Sequence, residues 1–70
     1  MILEKINYLA ECITQDLIKY LIEDKNISVE EAMNIVYNSK TFEKLYDFYT
    51  HLYRESSAYV YEMLKEELNQ

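Results

Sequence analysis

The chain has 70 residues, half of them hydrophobic, with seven basic and thirteen acidic side chains for a formal charge of −6, and contains neither Gly nor Pro. So much apolar and aromatic content excludes a disordered chain, and the length allows one domain spanning residues 1–70. With so few Lys and Arg the charge argues against nucleic-acid binding, and without Gly neither a P-loop nor a Gly-rich dinucleotide turn can form.

The missing glycines also disfavour tight hairpins, which need positive φ, whereas helices can be joined through Asn, Asp and Ser. The expectation is an all-α, compact domain of three to four helices with a long N-terminal helix. Residues 2–24 form that helix. Ile2, Leu3, Ile6, Leu9, Ala10, Ile13, Leu17, Tyr20 and Leu21 fall on one stripe at 3.6-residue spacing. Tyr8, Ile18 and Ile22 lie roughly opposite. Two isoleucines one turn apart on an outer face predict a second contact surface, suited to a homo-oligomer.

In "EDKNISVEEAM", Asn26 can take the left-handed conformation that ends a helix. Ser28 with Glu31 fits a capping box, and Glu30 and Glu31 suit the positive end of the helix dipole. The second helix is predicted over 29–37, burying Ala32, Ile35 and Val36. A third follows over 41–49, capped by Thr41, with Phe42, Leu45, Tyr46, Phe48 and Tyr49 at its apolar positions. "THLYRE" is irregular. The fourth starts at Ser56 or Ser57 and runs to about 69, burying Val60, Met63, Leu64 and Leu68. Tyr46, Tyr49, Tyr53, Tyr59 and Tyr61 fall mostly on the shoulders of these stripes, where a ring buries its body and keeps its hydroxyl wet.

The polar residues give no convergent chemistry. His51 and Cys12 are single and far apart, with no metal-ligand spacing. Cys12 reads as a partly buried small residue and cannot form an internal disulfide, which fits a reducing cytoplasm. Glu4 and Lys5 interrupt the apolar start, so no secretory leader is expected, and no apolar run approaches a membrane span. Glu30/Glu31 and Glu66/Glu67 are neighbours that do not face each other on a helix. The expectation is a non-enzymatic protein without metal or cofactor. A second class stays open: the second and third predicted helices could act as a helix-turn-helix pair presenting Lys40, Thr41 and Lys44 to DNA, opposed by Glu43, Asp47 and the net charge.

"ISVEEAM", "NSKTFEKLYD" and "LYRESSAYVYEMLKEEL" together resemble a family of small, acidic, all-helical bacterial proteins of unknown function, over roughly residues 13–68. The most specific part is Leu52 to Leu64. Relatives carry Thr-Gly-Leu-Tyr where this chain has Thr50-His51-Leu52-Tyr53, and often Ser-Pro where it has Ser56-Ser57. The first difference implies a turn at positive φ that His tolerates; the second implies a Ser56 cap without the stiff first position. Such proteins are sometimes encoded beside toxin-like genes, so the resemblance implies an antitoxin-like or accessory role and carries over no catalytic residue. An acidic helical partner could be steered into a basic cleft, with Tyr53, Tyr59, Tyr61, Glu62, Glu66 and Glu67 as the expected partner surface. The plainer alternative for those acids is a solvated helix face.

Overall fold

At 1.5 Å per residue, the 24-residue helix that opens the chain is about 36 Å long. The molecule measures 37 × 22 × 19 Å, so this single helix sets its long axis. The computed structural model describes residues 2–69. They form α1 (Ile2–Lys25), α2 (Val29–Tyr37), α3 (Lys40–Leu45) and α4 (Ser57–Leu68), with single-turn 3-10 helices at Phe48–Thr50 and Leu52–Arg54 between α3 and α4. No strand occurs among the described residues, and the fold is the all-α domain with a long first helix that the periodicity implied.

The turns close without Gly as expected. Asn26 follows α1 at φ 54°, and His51 separates the two 3-10 turns at φ 58°. At the start of α2 the Glu31 amide donates to Ser28 Oγ at 3.1 Å, and at the start of α4 the Tyr59 amide donates to Ser56 Oγ at 3.1 Å. Ser56 is therefore the cap, and Ser57 is free to donate its hydroxyl to Asp16 Oδ2 at 2.6 Å.

The third helix departs from expectation at both ends. Ser39, not Thr41, caps it: one hydroxyl accepts from the Phe42 amide at 3.1 Å and donates to the Val36 carbonyl at 2.6 Å, joining the end of α2 to the start of α3. Thr41 lies within the first turn and is buried. The helix stops at Leu45 rather than 49, because Asp47 Oδ1 accepts from the Tyr49 amide at 3.0 Å and starts a new turn.

The core is built along the C-terminal two thirds of α1. Ala10, Ile13, Leu17 and Leu21 meet Ala32 and Val36 of α2, Leu45 of α3, Leu52, and Val60, Tyr61 and Leu64 of α4. Ile35 is half-buried at its edge. α4 runs alongside α1 in the same direction, since Ser57 meets Asp16 and the Tyr61 hydroxyl donates to Asp24 Oδ2 at 2.6 Å two turns further on. Tyr20 packs against Tyr61 with ring centres 5.1 Å apart. Thr14 is satisfied by donating to the Ala10 carbonyl at 2.8 Å, and every buried side-chain nitrogen and oxygen among the described residues has a partner.

Three expectations about α1 need correction. Ile18 and Ile22 are not a spare outer face; both are half-buried against the core. Helices flank α1 on both sides, so the buried sector is wider than one stripe. Tyr8, grouped with them, does lie on the outer face and is exposed, whereas Cys12, expected to be partly buried, is exposed as well. Conversely Ile2, Leu3 and Leu9 belong to the main stripe yet remain exposed. Nine-residue α2 and twelve-residue α4 are about 14 and 18 Å long, too short to cover α1. Its first two turns are covered only in part: Ile6 is buried, while Ile2, Leu3 and Leu9 beside it stay open. No helix among the described residues is long and apolar enough to cross a membrane.

Candidate protein interface

The segment from Tyr46 to Glu55 is held by its own polar side chains. Thr50 is the hub: its hydroxyl donates to the Lys44 carbonyl, lies 2.9 Å from the Asp47 carbonyl, and accepts from the Leu52 amide at 3.3 Å. His51 then reverses the chain at positive φ, and Leu52 drops into the core at 7% exposure. This fixes the backbone on both sides of Phe48 and turns its ring outward.

Phe48 sits at the centre of a cluster of four rings, itself included. Tyr49 meets it edge-on with centres 5.8 Å apart, Tyr53 lies nearly parallel at 6.3 Å, and the His51 imidazole is 5.9 Å away. Phe48 is 45% exposed and Tyr49 87% exposed, while Tyr53 is half-buried against the core. A second row runs from α2 to the end of α3: Tyr37 packs edge-on against Phe42 at 5.1 Å, and Phe42 against Tyr46 at 4.9 Å. Tyr37 and Tyr46 are exposed at its ends. Helical periodicity pointed to these aromatics only as stripe positions. The outward turn of Phe48 and Tyr49 depends on α3 ending early, and the pair Asp47 and Thr50, two small polar residues within "YDFYT", was the available signal.

On the other side of α3 lies a cleft of about 200 Å³ lined by Lys40, Thr41, Lys44, Met63, Glu66 and Glu67. Glu67 closes it. One carboxylate oxygen accepts from the Lys40 amide at 2.7 Å; the other accepts from the Thr41 amide at 2.9 Å and hydroxyl at 2.7 Å. Desolvation alone would raise the Glu67 pKa, but the hydrogen bonds from Lys40 and Thr41 outweigh it and hold the carboxyl below its ordinary range. Glu67 is thus a capping group delivered to α3 from across the chain, and Lys40 and Lys44 share their cleft with two carboxylates.

The expected partner surface does not assemble as one patch. Tyr53 joins the Phe48 cluster, and Tyr59 is exposed on α4. Tyr61 is buried at 7% exposure, its hydroxyl bound to Asp24 and its ring beneath the Lys65 ammonium at 5.2 Å; burial and the Asp24 bond push its phenol pKa well up. Glu62 is paired with Lys65 at 3.1 Å, Glu66 lines the cleft, and Glu67 is committed to α3. A tyrosine flanking a stripe and a glutamate near a C-terminus look solvent-facing in sequence; both were drawn inward by groups on other helices. Among the described residues no group of three or more His, Cys, Asp or Glu is placed to hold a metal ion. The chain matches no known family, no curated protein and no solved structure.

Proposed function

We propose that the chain is a non-enzymatic protein–protein interaction module, the acidic partner of a basic protein, in an antitoxin-like or accessory role in a bacterial cytoplasm. The observation that supports this is the open ring cluster around Phe48, held on a backbone that Asp47, Thr50 and His51 fix in advance. Phe and Tyr rings offer large contact area with few rotatable bonds, so such a surface orders little on binding. Exposed Glu43, Asp47 and Glu55 lie on the same stretch of chain, and the net charge of −6 steers a basic surface toward it. The DNA-regulator alternative through Lys40, Thr41 and Lys44 gains no support, because Glu66 and Glu67 sit against those lysines and offset the potential that phosphate would need.

The test is capture from a native lysate holding the neighbouring gene's product, followed by affinity measurement with the purified partner. Phe48→Ala combined with Tyr49→Ala is expected to weaken binding at least about tenfold, and association slows as salt rises from about 0.05 to 0.5 M. Undiminished binding by the double variant contradicts the proposal.

A further inference from the structure

The first two turns of α1 carry a second exposed apolar patch. Ile2, Leu3 and Leu9 are 74%, 61% and 42% exposed, and Ile6, 6% exposed, forms the floor between them. This is the seam that buries Ala10 to Leu21, continued toward the start of α1.

We propose that this seam is a homodimer surface on which two copies pair antiparallel, across a two-fold axis near Ile6, with Leu9 of each over Ile2 and Leu3 of the other. Spacing makes the surface self-complementary: residues whose numbers add to about twelve face each other, so Leu3 of each copy meets Leu9 of the other above the buried Ile6. A parallel pair is blocked sterically. The seam and the bundle lie on the same face of α1, so parallel partners would drive their bundles into one another, whereas antiparallel partners place them at opposite ends.

Charge selects the same place. Two chains at −6 repel, but Ile2 to Ala10 contains one acid, Glu4, and one base, Lys5, and is locally neutral. Area sets the scale of the contact. The exposed seam side chains leave on the order of 300 Å² of apolar surface per copy, and with the flanking residues a pair buries on the order of 1,000 Å² in total. That is the lower edge of specific interfaces, the range of weak and transient association.

Sedimentation equilibrium from about 5 µM to 1 mM is expected to show the mass rising from one chain toward two. The double variant Leu3→Glu with Leu9→Glu, at exposed positions, should remain one chain throughout while keeping its helical circular dichroism. A spin label on exposed Cys12, outside the seam, reads the direction: the antiparallel pair puts the two Cys12 Cα atoms about 20 Å apart and a parallel pair about 10 Å. A single-chain mass at 1 mM overturns the proposal, as does a dimer that survives both glutamates or labels at the short distance. So does a chain that stays single yet co-floats with neutral phosphatidylcholine vesicles, which would assign the seam to a lipid surface.

Discussion

From Ala10 to Leu21 the core-facing positions of α1 are buried, with Leu17 and Leu21 wholly enclosed, whereas Ile2, Leu3 and Leu9 on the same stripe stay exposed. Side-chain chemistry does not distinguish the two groups; what differs is how much of each the packed elements reach, since Ile6 between the exposed three is still buried. Apolar periodicity fixes which face of a helix seeks cover. The combined reach of its neighbours fixes how far that cover extends, and here 14 to 18 Å elements meet a 36 Å one.

Substitutions can sharpen or break this contrast. The largest effect belongs to the enclosed half: Leu17→Ala is expected to lower unfolding free energy by about 3 kcal/mol in urea titration, through lost transfer and a residual cavity. Next is the tie that holds α4 against α3. Glu67→Gln keeps the shape but loses charge-assisted bonds to Lys40 and Thr41, for about 2 kcal/mol at neutral pH. Because the folded Glu67 pKa lies below its ordinary 4.5, its contribution is complete above that pH and is lost as pH falls through the lowered value. The Gln variant should lose that portion of the acid dependence.

Tyr61→Phe removes the Asp24 bond while keeping the ring, for about 1 kcal/mol. The folded phenol pKa is raised above its ordinary 10.0, so the Tyr61 share of stability is present below that pH and declines as pH rises past it; the Phe variant lacks this alkaline decline. The smallest effect belongs to the exposed patch at the start of α1. At concentrations of a few micromolar, Leu3→Ala should change stability by less than about 0.5 kcal/mol. A cost near that of Leu17→Ala would break the contrast.

What could be read from the residues was local. Asn26, Ser28, Ser56 and His51 act through their own backbone neighbourhoods, and each behaves as its chemistry implied. What escaped was tertiary. Thr41 resembles a cap until Ser39, two residues earlier, is seen to serve two helices with one hydroxyl. Glu67 and Tyr61 belong by position to a solvated helix, and only the fold brings Lys40 and Asp24 to them. Ile18 and Ile22 are opposite one stripe but not outside a helix flanked on both sides. The candidate interface is legible only in part: Tyr53 is an expected surface residue, but periodicity places Phe48 and Tyr49 in a helix that Asp47 brings to an end.

Native-state amide hydrogen exchange at a few micromolar chain separates the two halves of α1 directly. The amides of Ile13 to Leu21 should exchange only with global unfolding, and those of Ile6 to Leu9 through local opening, with protection lower by at least about a hundredfold. Equal protection along the whole helix at that concentration would contradict an uncovered N-terminal seam.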